Sequence, residues 1–186
     1  MKFKKNSRLK NYDYSENGYY FVTICAYRSQ PLFVVEPFYG ANFKGIVEEK
    51  INQVSKYYKG VGLDFYVIMP NHIHLILSLD DVNVSLAKII NAFKSWVTRD
   101  IKRMISAQGA AAASVVAAFY AADKAAQGAA ATIKNLKYVW QPNYYEHIIR
   151  NEKALLKIRK YIENNPLVEK IDWNKLDVWY CDISYC

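Results

Sequence analysis

Cysteine is scarce in this chain of 186 residues, and long apolar runs are absent. The three cysteines, Cys25, Cys181 and Cys186, are odd in number and form no C-x-x-C pair. That pattern argues against a disulfide framework and favours reduced thiols in a cytoplasm. No apolar stretch is long enough to cross a membrane, and residues 1–11 lack the apolar core of a signal peptide. We therefore expect a cytoplasmic protein without a membrane partner.

Acidic residues are also in deficit, since 17 Asp and Glu face 25 Lys and Arg and leave a formal net charge of +8. This balance favours an anionic partner, with nucleic acid first. Hydrophobic residues make up 52% of the sequence, so residues 1–186 are predicted to fold as a single domain. An alanine-rich, low-complexity insert at about 108–132 interrupts it. Gly109 and Gly128 are predicted to end any helix at either side of that insert.

The order of the predicted elements indicates the fold class. β-branched and aromatic runs predict strands, and apolar residues at three- and four-residue steps predict helices. The strands are expected at about Tyr19–Tyr27, Leu63–Met69, His72–Leu77 and Tyr144–Ile149, and the helices at about Glu36–Tyr58, Leu86–Ile105 and Asn151–Asn165. The fold class that fits is α+β: a ferredoxin-like (split βαβ) antiparallel sheet with helices on one face, plus a C-terminal helix.

Histidine is rare as well, and two of the three histidines stand one residue apart. His72 and His74 lie in a run rich in Ile, Val and Leu that reads as a strand. Strand side chains alternate faces, so both imidazoles point the same way while Ile73 points the other way. Such a pair forms half of a divalent-metal site, or else two ordinary histidines on a half-exposed strand.

The last helix supplies a second set of polar groups. Tyr161 and Asn165 are four residues apart, so they share one side of that helix. A tyrosine can attack a phosphodiester, and a divalent cation offsets the charge of the phosphate oxygens. The alternative is that Tyr161 lies at the boundary of the core and Asn165 caps the C-terminal end of the helix. As the third metal ligand, the Asn165 amide competes with His147, which could instead be a core or edge histidine.

Three strings in the sequence, MPNHIHLIL at 69–77, EHIIRN at 146–151 and YIENNP at 161–166, together resemble the REP-associated tyrosine transposases. These form a branch of the single-tyrosine HUH (IS200-like) transposases, and the resemblance runs from about Tyr19 to Val168. It implies metal-dependent nicking and strand transfer of single-stranded or hairpin DNA, through a 5′-phosphotyrosine and a free 3′-hydroxyl.

The same resemblance implies roles for individual residues. His72 and His74 match the metal-binding pair, Tyr161 matches the nucleophile, and Asn165 matches the position that can complete the metal shell. The expected cation is Mg²⁺ or Mn²⁺, and the expected assembly is a monomer or a homodimer. The alanine-rich insert and the aromatic tail around Trp179 depart from the family pattern.

Two other functions remain open at this point. A ferredoxin-like sheet rich in tyrosine could bind nucleic acid without catalysis, provided that aromatic side chains are exposed on an open sheet face. A metal-dependent nuclease could instead use activated water, with Tyr161 as a bystander. The sequence does not indicate which DNA sequence is recognised, or whether Tyr161 acts within its own chain.

Overall fold

The computed structural model of the chain describes residues 11–29, 42–121 and 138–164, together with Leu9, Leu32 and Phe33; within 108–121 it describes the backbone alone. The described elements are β1 (Gly18–Cys25), α1 (Phe43–Tyr57), β2 (Val61–Ile68), β3 (His72–Leu79), α2 (Leu86–Ala121), β4 (Tyr145–Ile149) and α3 (Glu152–Asn164). The strands form one antiparallel sheet in the order β2-β3-β1-β4. The predicted α+β, ferredoxin-like architecture is confirmed.

Two helix boundaries bear on the sequence prediction. Helix α1 begins at Phe43, where the Asn42 side chain caps it by accepting a hydrogen bond from the Gly45 amide at 2.7 Å. The predicted start at about Glu36 lies outside the described residues. Helix α2 does not end before Gly109 but continues to Ala121. Alanine has the highest helix propensity, and a run of alanines outweighs the cost of one glycine, about 1 kcal/mol.

Helices cover both faces of the sheet. On one face, alternate residues of β1 and β3 pack with α1 and α2 in a large core that includes Tyr20, Val22, Ile24, Ile73, Leu75, Val47, Ile51, Ile89, Phe93 and Val97. On the opposite face, α3 packs on a smaller cluster formed by Phe21, Ile76, Ile149, Ala154, Leu155, Ile158 and Ile162. Helix α3 therefore directs its apolar stripe toward the sheet.

The second and third strands, β2 and β3, form a hairpin. Met69, Pro70 and Asn71 make the reversal, and the Met69 amide donates to the His72 carbonyl at 2.8 Å. Earlier in β2, the register of its pairing with β3 shifts between Leu63 and Phe65, which makes Asp64 an additional residue in the strand. The hairpin positions His72 and the register shift positions Asp64, and both residues belong to the site described below.

Cys25 ends β1 and is disulfide-bonded. The expectation of reduced thiols is therefore wrong for this residue. Among the helices that the structure describes, none is long and apolar enough to span a membrane.

Candidate active site

The pairing of β3 with β1 places the two neighbouring histidines on the sheet face that α3 covers. His72 lies opposite Cys25, and His74 lies opposite Thr23. The two imidazoles turn toward each other, with their Nε2 atoms 3.1 Å apart. Ile73 is buried on the other face, as strand alternation predicts. His72 and His74 therefore point to the same face of the sheet, as predicted.

Each imidazole is oriented by a hydrogen-bond partner at its other nitrogen. His72 Nδ1 donates to the Asn71 amide oxygen at 2.7 Å, and His74 Nδ1 lies 2.8 Å from the Thr23 hydroxyl. The Phe21 ring stacks on His74, with centroids 5.2 Å apart and an interplanar angle of 26°. Because partners at Nδ1 fix ring orientation, both Nε2 atoms converge on one point.

Burial keeps both imidazoles neutral. His74 and Thr23 are fully buried, while His72 is partly exposed. Burial lowers the pKa of His74 to about 3, with a smaller contribution from His72, and burial likewise lowers the pKa of His72. A neutral imidazole offers a lone pair at the nitrogen that carries no proton, which is the form that binds a metal.

These donors fit a divalent cation. Two nitrogens that each bind one metal at 2.0–2.1 Å in neighbouring positions lie about 3.0–3.4 Å apart, and the observed separation is 3.1 Å. The Asn71 oxygen only accepts, so His72 carries its proton on Nδ1 and offers Nε2 as a donor atom. The Thr23 hydroxyl can accept from His74 Nδ1 and so leave the second Nε2 available. No group of three or more His, Cys, Asp or Glu side chains suited to a metal occurs among the described residues.

Tyr161 on α3 reaches this pair from the same chain. Its hydroxyl lies 3.4 Å from His74 Nε2, and the two ring centroids are 5.4 Å apart. The edge of the Tyr161 ring also meets Phe21, at a centroid distance of 6.4 Å and 75°. Phe21 therefore touches both the histidine and the tyrosine, and it links the two halves of the site.

Helix α3 is held in place by a cap and an ion pair as well as by its apolar stripe. The Asn151 side chain accepts a hydrogen bond from the Ala154 amide at 2.8 Å and caps the helix at its predicted start. Two nitrogens of Arg159 donate to the two carboxylate oxygens of Asp64, the additional residue of β2. Since Arg159 precedes Tyr161 by two residues, this pair ties the tyrosine-bearing turn to the sheet.

Of the other two candidate ligands, Asn165 lies outside the described residues. His147 lies on the edge strand β4, opposite Phe21, and is half-buried. Burial lowers its pKa to about 4, with a smaller contribution from Arg150. This position matches the reading of His147 as an edge histidine.

Sequence reasoning missed Thr23, Phe21 and the Asp64–Arg159 pair. The role of Asn71 as the partner of His72 could have been predicted, because Asn71 directly precedes His72 in the sequence. Thr23 and His74 are 51 positions apart in sequence, and Asp64 and Arg159 are 95 apart. Only the strand register and the docking of α3 bring those residues together.

Comparison with known proteins identifies the family. Residues 14–121, more than half of the chain, match the family described as "Transposase IS200 like". The chain belongs to the IS200-like transposase family. It is accordingly a transposase, an enzyme that nicks and joins DNA.

Two individual proteins are similar to this IS200-like transposase over most of its length. An uncharacterized protein from Haemophilus influenzae is 32% identical over 175 residues, which is 91% of each sequence. A solved structure of a REP-associated tyrosine transposase bound to a REP hairpin has a TM-score of 0.57 and 20% identity. The match covers 87% of this chain and 73% of that one. At this identity, the likeness shows a common fold.

The family assignment argues against the alternative of a non-catalytic binding module. Helices α1 and α2 cover one face of the sheet, and α3 packs on the other, where Tyr19 and Phe65 are 36% and 37% exposed. That alternative also left the two histidines without a role, whereas their Nε2 atoms converge beside the Tyr161 hydroxyl.

Proposed function

We propose that this transposase cleaves and transfers single-stranded or hairpin DNA through a covalent bond to Tyr161, in a site where His72 and His74 bind a divalent cation. The observation that supports this most directly is the 3.4 Å separation between the Tyr161 hydroxyl and His74 Nε2. A potential nucleophile and a pair of neutral nitrogen donors thus meet within one chain, which favours action of Tyr161 in cis.

The reaction proceeds in two balanced steps. The Tyr161 hydroxyl loses its proton, its oxygen attacks the scissile phosphorus, and the bond from phosphorus to the 3′-oxygen breaks. That 3′-oxygen takes up a proton, leaving a 3′-hydroxyl and a 5′-phosphotyrosine. In the second step a 3′-hydroxyl loses its proton and attacks the phosphorus, the bond from phosphorus to the Tyr161 oxygen breaks, and that oxygen takes up a proton. Because one phosphodiester-type bond replaces another, rejoining needs no external energy source.

The cation, Mg²⁺ or Mn²⁺, would neutralise charge on the phosphate oxygens and orient the phosphate. His72 and His74 would supply two nitrogen ligands, and we propose the Asn165 amide oxygen as the third. Within the described part of the chain, Thr23 and Asn71 orient the two imidazoles. Phe21 excludes water from one side of His74 and positions the Tyr161 ring.

The proposed substrate is single-stranded or hairpin DNA, bound by a monomer or a homodimer in the cytoplasm. The net charge of +8 favours a polyanion. The REP-associated transposase whose fold this chain resembles was solved with a REP hairpin. A site in which one chain supplies both histidines and the tyrosine is compatible with a working monomer.

The proposal is tested with hairpin DNA carrying an end label, incubated with the protein and Mg²⁺ or Mn²⁺ and then denatured. We expect a protein–DNA adduct that is absent with Tyr161→Phe and absent in EDTA. Tyr145→Phe, on β4, is the matched control and should form adduct normally. Free 5′-phosphate ends without an adduct would instead establish a nuclease that uses water, and equal adduct from Tyr161→Phe would overturn the role of this tyrosine.

A further inference from the structure

Directly beyond β1, the chain makes an unusual turn at the end of the sheet where His72 lies. Arg28 has φ 56° and ψ 28°, and Ser29 has φ 54°, so two successive residues other than glycine adopt the left-handed conformation. Residues with a Cβ atom rarely do so, because that atom crowds the following carbonyl oxygen. Strained backbone of this kind concentrates at functional sites.

Backbone hydrogen bonds fix this turn beside the metal-binding pair. Cys25 is paired with His72, and the next residue, Ala26, donates its amide to the Asn71 carbonyl at 2.8 Å. Tyr27 therefore lies two residues, or about 7 Å along the strand, beyond the position of His72. The Tyr27 amide donates to the Val139 carbonyl at 2.9 Å, which brings the segment before β4 alongside.

That arrangement places two tilted tyrosine rings and a cation side by side near the surface. The rings of Tyr27 and Tyr138 have centroids 5.2 Å apart with an interplanar angle of 31°. Arg28 is exposed, and its guanidinium carbon lies 5.3 Å from the centre of the Tyr27 ring. Tyr138 is 45% exposed, although the neighbouring Trp140 is buried in the core. The core thus uses Trp140 and leaves the Tyr138 ring largely at the surface.

We propose that Tyr27, Arg28 and Tyr138 form a stacking platform for an unpaired nucleotide of the DNA strand next to the scissile phosphate. Aromatic faces bind any unpaired base by stacking, and an arginine beside them offsets the phosphate charge. The turn at Arg28 holds that cation over Tyr27, so the platform is formed before DNA binds. This inference rests on the proposed function, which supplies the single strand.

The test is fluorescence anisotropy with a labelled oligothymidylate of about twelve nucleotides in EDTA, where no cleavage takes place. We expect Tyr138→Ala to weaken binding about five- to a hundredfold, and Tyr138→Phe to bind normally. Arg28→Gln should weaken binding and lower the salt slope by about one. Tyr57→Ala is the matched control, since Tyr57 is 65% exposed on α1, and it should bind normally.

An oligonucleotide with abasic positions separates stacking from a general loss of structure. On that strand Tyr138→Ala should cost nothing further, because there is no base to stack. The platform is refuted by normal binding of Tyr138→Ala and Arg28→Gln, or by an equal loss on the abasic strand, or by an equal loss with Tyr57→Ala. If these results refute it while the adduct at Tyr161 still forms, the platform alone is wrong. If the binding losses occur without any adduct, stacking of an unpaired base is supported, but the strand-transfer proposal fails and with it the position of the platform next to a scissile phosphate.

Discussion

Replacing Thr23 by valine should weaken metal binding without touching either histidine. Valine has nearly the shape of threonine but lacks the hydroxyl that lies 2.8 Å from His74 Nδ1. Thr23 and His74 are both fully buried, so no water can take the place of that hydroxyl. A buried polar atom left without its partner costs about 1–3 kcal/mol, and loss of a partner behind a metal-binding histidine costs about 10- to 100-fold in affinity.

The assay for Thr23→Val is titration with Mn²⁺, followed by calorimetry or electron paramagnetic resonance, together with urea unfolding of the metal-free protein. Thr23→Ser keeps the hydroxyl and should bind Mn²⁺ within a few-fold of the unmodified protein. The unfolding midpoint separates a general loss of stability from a change confined to the metal site. Mn²⁺ affinity in Thr23→Val equal to that of the unmodified protein would refute the reasoning that this hydroxyl orients His74.

Three further predictions concern α3 and the sheet edge. Asp64→Asn should slow adduct formation about two- to fivefold at unchanged DNA affinity, because a partly exposed ion pair contributes about 0.5–1 kcal/mol, and the exchange Asp64→Arg with Arg159→Asp should restore the rate. Asn151→Ala should lower the free energy of unfolding by about 0.5–2 kcal/mol in urea titration, with Asn52→Ala on the exposed side of α1 as the control. His147 has a folded pKa of about 4 against 6.5 in the unfolded chain, so the unfolded state binds the extra proton between those values. Stability should therefore fall as pH falls from about 6.5 toward 4, by up to about 1.4 kcal/mol per pH unit for this group, and His147→Phe should reduce that slope.

The elements that the sequence predicted well are those with strong local signals. The apolar periodicity predicted a helix that begins at about Leu86, where α2 does begin, and the alternation at His72, Ile73 and His74 predicted which side chains share a face. A single Asn, Asn151, marked the start of α3. Each of these signals lies within a few residues of the feature that it predicts.

What the sequence could not predict depends on contacts between distant segments. The predicted end of α2 was wrong because a rule based on single glycines ignores the neighbouring residues. A helix tolerates Gly109 when the residues around it have a high helix propensity. Thr23 carries no signal of its own until β1 pairs with β3. The meeting of Tyr161 with His74 likewise depends on the face of the sheet that α3 covers. The sequence could predict that both halves of the site exist, but only the fold brings them together.

The most direct measurement is peptide mapping of the covalent adduct by mass spectrometry. After reaction with hairpin DNA and Mg²⁺, the adduct is digested with protease and nuclease, and the modified residue is located. A nucleotide joined through its 5′-phosphate to the peptide that contains Tyr161 is the predicted result. A nucleotide on any other residue, or no modified peptide while the DNA is cleaved, would contradict a nucleophilic role for Tyr161.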